Sequence, residues 1–208
     1  AAFAAVVLAV GLLPILSGTG EPKLVGETTS TTIAAMTSTT VTVGTTTTAP
    51  VLTAECSASG LPAPAAQEGL PDQVADVRLA MAQAAIACDY DTLEALAGPD
   101  LNTSFGGGGF DNIPMWEEQG TYPALELLVR LLDTPFATQE VEDLPRYYVW
   151  PSAFVYDTWD EIPAEDIEAL LEVFTQEELD QIATFGAYAG WRIGITEDGD
   201  WEFFVAGD

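Results

Sequence analysis

Four residues stand out as candidates for contact with a ligand: Tyr148, Trp150, Trp159 and Arg192. Tyr147, Tyr148, Trp150, Phe154, Tyr156 and Trp159 crowd one short stretch, and Tyr188, Trp191, Trp201, Phe203 and Phe204 crowd the end of the chain. Exposed rings of this kind stack on sugars or grip apolar peptide side chains, and an arginine beside them anchors a carboxylate. The competing reading is that both aromatic groups are core. On that reading Arg130, Arg146 and Arg192 are ion-pair partners of the many acids.

Carboxylate chemistry is the one catalytic route left open. Asp157, Asp160 and Glu161 lie among Tyr156 and Trp159, the mixture used in glycoside hydrolysis. There one carboxyl protonates the leaving oxygen and the other attacks the sugar or activates water. With 33 Asp and Glu in 208 residues, closeness in sequence selects no pair, so no catalytic residue is assigned. Glu197, Asp198, Asp200 and Glu202 offer oxygens to Ca²⁺, but their spacing is not that of an EF-hand, and a turn already accounts for Asp198-Gly199. No metal site and no cofactor is expected.

Absent residue types exclude more. The chain has no histidine, which removes the commonest general base, the usual triads and most zinc and iron sites. Its one lysine, Lys23, precedes the acidic part, so Schiff-base chemistry and P-loop phosphate capture have no residue to use. Gly106–Gly109 lacks both the Gly-Lys-Ser/Thr of a P-loop and the spaced glycines of a dinucleotide fold. It reads as a flexible loop between Phe105 and Phe110, with a lid over a cleft as the functional alternative. All acids except Glu21, Glu27 and Glu55 lie beyond Cys56, against four arginines there. That charge repels phosphate backbones and anionic head groups, so no nucleic acid is expected as partner, and membrane contact only through the N-terminal segment. It favours solubility, cationic partners or adaptation to salt.

The two cysteines, Cys56 and Cys88, are expected to form a disulfide, as suits an exported chain with an even count. Two free buried thiols are the alternative. A disulfide would pin the start of the domain to the end of its first helix.

The elements that position these residues follow from periodicity. Pro71 or Asp72 opens a helix running to about Ala87, with Val74, Val77, Met81, Ala84 and Cys88 as its apolar stripe. Asp91-Thr92-Leu93-Glu94 resembles a capping box, and Gly98-Pro99 stops the helix it begins. A third helix covers residues 121–132, with Leu125, Leu128, Val129 and Leu132 on one face. Pro163 fits the first turn of a fourth, with Ile167, Leu170, Leu171 and Phe174 inward. Thr175-Gln176-Glu177-Glu178 caps a fifth that ends near Gly186. Residues 146–150 and 153–156 read as short strands. Residues 191–196 and 201–205 flank Asp198-Gly199 as a tight hairpin. The expected fold is α+β: several helices on a small antiparallel sheet with a C-terminal hairpin.

Three parts follow along the chain. Residues 1–20 are apolar and read as a signal-peptide core or an N-terminal membrane anchor. Residues 21–55 read as a disordered, threonine-rich stalk, able to reach roughly 110 Å at ~3.3 Å per residue. Residues 56–208 are the acidic globular domain. Tyr148-Val149-Trp150-Pro151 with Phe154, and the ending Phe185-Gly186-Ala187-Tyr188, Arg192-Ile193-Gly194-Ile195, Asp198-Gly199, Trp201 and Phe203 to Asp208, resemble a group of uncharacterised secreted bacterial proteins. The resemblance covers about the last third of the chain. It implies export and a bacterial origin and carries no activity; the stalk and the cysteine pair depart from it. Together these features point to an extracytoplasmic, secreted or envelope-attached protein. Its expected role is non-enzymatic binding of a cell-wall glycan or peptide, with a carboxylate-based hydrolase of envelope carbohydrate as the alternative.

Overall fold

The computed structural model describes residues 55–104, 108–142 and 144–207. The apolar segment and all of the threonine-rich tract except Glu55 lie outside the described residues, as do Phe105, Gly106 and Gly107 of the glycine loop. Element order is α1 (Asp72–Ile86), α2 (Tyr90–Ala97), α3 (Asn112–Gln119), α4 (Ala124–Asp133), β1 (Ala137–Gln139), β2 (Tyr147–Trp150), α5 (Ala164–Leu170), α6 (Gln176–Ala183), β3 (Arg192–Thr196) and β4 (Trp201–Val205). Short 3₁₀ turns, Ser152–Val155 and Trp159–Glu161, link β2 to α5. The fold is therefore α+β. Its helices pack on a four-stranded antiparallel meander in the order β1-β2-β3-β4, and β3-β4 is the C-terminal hairpin. Among the described residues no helix is long and apolar enough to cross a membrane.

Register divides the sheet into two faces. Trp150 lies opposite Ile193, Tyr148 opposite Ile195, and Ile193 opposite Phe204, so these side chains share one face. All are buried with Trp201 against the helices, where Leu125, Leu128 and Leu132 of α4 and Met81 of α1 complete the core. The opposite face carries Tyr147, Val149, Arg192, Gly194 and Phe203. Gly194 is required there, because a Cβ at that position would strike the Phe203 ring, which lies down over the strand. Both sheet edges are blunted. β1 is only three residues long, and Asn102 bonds to β4 through the Glu202 carbonyl and the Phe204 amide at 2.8 and 2.9 Å.

Local chemistry sets the helix ends. Thr175 and Glu178 cap α6 reciprocally: the Thr175 hydroxyl accepts from the Glu178 amide, and the Glu178 carboxylate accepts from the Thr175 amide at 2.7 Å. The cap expected at Asp91 sits instead at Asp89, whose carboxylate accepts from the Thr92 amide at 3.0 Å and the Thr92 hydroxyl at 2.7 Å. Residues 153–156 are expected as a strand, but the first three lie in the 3₁₀ turn Ser152–Val155 and Tyr156 follows it. Pro151 brings no amide to a ladder, and the Phe154 amide bonds back to its carbonyl. Leu171, expected inward, is exposed because α5 ends at Leu170 and the helical period stops there. α3 and β1 are elements that the sequence pattern did not reveal. In α3, Pro114 is the third residue, where the missing amide has no helical partner to lose.

α1 closes with a Schellman turn. The Cys88 amide bonds to Ala85 and the Asp89 amide to Ala84, with Cys88 itself in the left-handed region at φ 54°. Cys88 is disulfide-bonded to Cys56, as expected, with Cα atoms 5.8 Å apart. Closing a loop over a separation of 32 residues stabilises the fold by about 3–4 kcal/mol in the chain-entropy picture. Ser57, next along, caps α4 from outside: its hydroxyl accepts from the Glu126 amide at 2.9 Å and donates to Glu117 of α3. Glu117 in turn accepts from the Leu125 amide at 2.9 Å. At the other end of α4, the buried Arg78 guanidinium donates twice to the Leu132 carbonyl. A cation from α1 thus completes the carbonyl end of α4. Burial lowers the Arg78 pKa, and Asp133 partly opposes that.

Candidate functional site

The four residues singled out in the sequence do not converge. Tyr148 and Trp150 point into the helix-covered face of the sheet; Trp150 is 0 % exposed, and its indole N–H donates to Gln67 at 2.9 Å. Phe136 packs on both, with ring centroids 6.0 and 5.9 Å away. An exposed platform at Tyr148 and Trp150 is therefore corrected to core: strands rich in aromatics fill the space between sheet and helices, and burial leaves no ring face for a ligand. Trp159 is half-buried against the core, its amide tied to the Gly186 carbonyl at 2.8 Å. Arg192 lies on the opposite sheet face, 4.4 Å over the Phe154 ring, and donates to the Gly207 carbonyl. A shallow hollow of about 190 Å³ beside it is lined by Asn102, Gln139, Phe154 and Phe203.

The carboxylates named above are also accounted for. Glu161 reaches back to the Thr158 amide at 3.1 Å and caps the second 3₁₀ turn; Asp157 and Asp160 are exposed beside it. Asp198-Gly199 forms the hairpin turn, with Gly199 at φ 92°. Among the described residues no three acids or cysteines converge to hold a metal ion. Glu202 sits at the bulge where the β3–β4 register shifts. Burial, then Asp200 and Asp100, raises its pKa.

A different set of residues forms a groove. It has a volume of about 390 Å³ and runs between the start of α4, α6 and the segment leading into β3. α4 contributes Glu126 and Arg130, α6 contributes Glu178 and Ile182, and the turns at either side contribute Tyr122 and Phe185. Trp191 connects the groove to the core. Its ring lies 5.2 Å from Tyr122, 5.2 Å from Trp116 and 4.9 Å from the buried Phe204. Tyr122 and Phe185 are 43 % and 68 % exposed. Gly190 in the wall stands where a side chain would collide with the Tyr188 hydroxyl, which donates to the Trp191 carbonyl at 2.7 Å.

The charged groups of the groove are engaged. Arg130 pairs with Glu126 at 2.7 Å and donates to the Glu172 carbonyl at 3.0 Å, and Glu178 is held by its capping bonds to Thr175. Sequence reasoning missed Tyr122 and Phe185. The usable signal was a large apolar residue set between turn formers, Thr121-Tyr122-Pro123 and Thr184-Phe185-Gly186, where burial has no scaffold. Compared with family models, curated proteins and solved structures, the chain matches none.

Proposed function

We propose that this chain is an exported protein, envelope-attached or secreted, whose acidic domain binds an extracellular glycan or peptide without altering it. The observation that carries this reading is the groove: concave, of ordinary ligand-site volume, and lined by exposed rings at Tyr122 and Phe185. The disulfide supports an oxidising compartment. The resemblance of the aromatic run and the ending to secreted bacterial proteins agrees with export. The test is co-sedimentation of the full chain with purified cell-wall sacculi. Binding should fall at least fivefold for the double variant Tyr122→Ala/Phe185→Ala, and equal binding by that variant removes the groove from the function.

A hydrolase of envelope carbohydrate is the alternative, and one observation favours it: Glu126 and Glu178 both line the groove. It requires that one of them release its present partner to act as acid. Release of reducing sugar from sacculi, abolished by Glu126→Gln or Glu178→Gln, would establish this alternative and displace the binding reading.

A further inference from the structure

We infer that the groove's ligand is a polypeptide segment that presents an apolar or aromatic side chain flanked by Lys or Arg, rather than a glycan. This rests on the binding role proposed above and narrows its ligand class. Three observations point the same way. First, the rings at the Trp191 end of the groove share no flat platform. Tyr122 and Trp191 meet at 72° with centroids 5.2 Å apart. Sugars stack on an open flat ring face, and rings in edge-to-face contact offer no common one.

Second, the charged lining is weighted to acceptors. Glu126 and Glu178 stand beside one cation, Arg130, which pairs with Glu126 and donates to the Glu172 carbonyl. A carboxylate has about four acceptor positions, and the present bonds of Glu126 and Glu178 do not fill them. Both remain able to receive an ammonium or guanidinium from a ligand.

Third, the surrounding charge has one sign. The chain carries a net charge of −28. Beyond Arg130, the cations of the domain are turned to other tasks: Arg78 and Arg192 are buried, and Arg146 pairs with Glu140. Charge of one sign around a low-dielectric groove focuses the field and attracts the opposite sign to it. A cationic flank on the ligand therefore speeds encounter, and the apolar side chain then fixes position between Tyr122 and Phe185.

The experiment is calorimetric titration of the full chain with three probes: the peptide Lys-Lys-Leu-Trp-Leu-Lys-Lys, the same peptide with Glu for each Lys, and a tetramer of β-linked N-acetylhexosamine. The cationic peptide should bind, and its Kd should weaken about tenfold as salt rises from ~50 to ~500 mM. Tyr122→Ala and Phe185→Ala, each checked for unchanged thermal unfolding, should each weaken it about tenfold, the loss expected when an anchoring ring is truncated. Equal binding of the acidic peptide overturns the charge rule. Undiminished binding by both variants shows attraction to the acidic surface at large and overturns the site. Binding of the hexosamine tetramer alone, lost in the variants, overturns the peptide ligand while the binding role stands. If neither these probes nor sacculi bind, the binding role fails with it.

Discussion

Gly194 and Phe203 form a matched pair: a residue without a side chain allows a ring to lie on a strand. Gly194→Ala overpacks this contact, so the variant should lose about 1–3 kcal/mol in urea unfolding. Adding Phe203→Ala should restore part of the loss, because the colliding ring is gone; strictly additive losses would show that the ring does not rest there. Glu202 gives a second outcome at this scale. Its folded-state pKa lies above that of the unfolded chain, so the folded state binds the proton more tightly. The resulting stability is present below the ordinary glutamate range and is lost as pH rises through the raised value. Glu202→Gln should therefore match or exceed the parent's urea midpoint at neutral pH and fall behind it as pH drops towards ~4. Parallel pH profiles for the two proteins would contradict the raised value. Cys88 adds a residue in the left-handed region whose strain is offset by the Schellman bonds and the disulfide it completes.

α4 is the element on which core and groove meet. Its inner face is leucine, its outer face carries Glu126 and Arg130, and its two ends are completed by groups from elsewhere: Ser57 with Glu117 at the start, Arg78 at the finish. Ser57→Ala removes the acceptor for the Glu126 amide and should cost about 1–2 kcal/mol, with faster hydrogen exchange confined to the first turn of α4. Exchange unchanged there would mean that Glu117 alone completes the cap. These joints mark the limit of what sequence makes legible. The α6 cap was readable because Thr175 and Glu178 are three residues apart, and the hairpin because Asp198-Gly199 carries its own turn chemistry. The Ser57–Glu117 and Ser57–Glu126 bonds cross 60 and 69 residues, and no periodicity encodes a partner so far away. β1 was hidden for a related reason: three half-exposed residues pair through their backbone alone. The groove was missed on both grounds. It is assembled from three distant segments, and the denser aromatic run at 147–159 belongs mainly to the core.

Across the whole molecule, the disulfide sits where the described chain begins. Cys56 is tied to the far end of α1, and everything between, including α1 itself, lies inside a covalent loop. A pull on the chain ahead of Cys56 is therefore carried by the sulfur bridge to Cys88, and α1 cannot be peeled away from its N-terminal side. Load enters instead at the α1–α2 corner. In single-molecule stretching of the oxidised chain, the contour length released on unfolding should be shorter than in the reduced chain. The difference should be roughly 110 Å, which is the extended length of the 32-residue loop at ~3.5 Å per residue. Equal lengths with and without reductant would mean that the loop is open under load. Closed, the bridge makes the stretch from Cys56 to Cys88 inextensible.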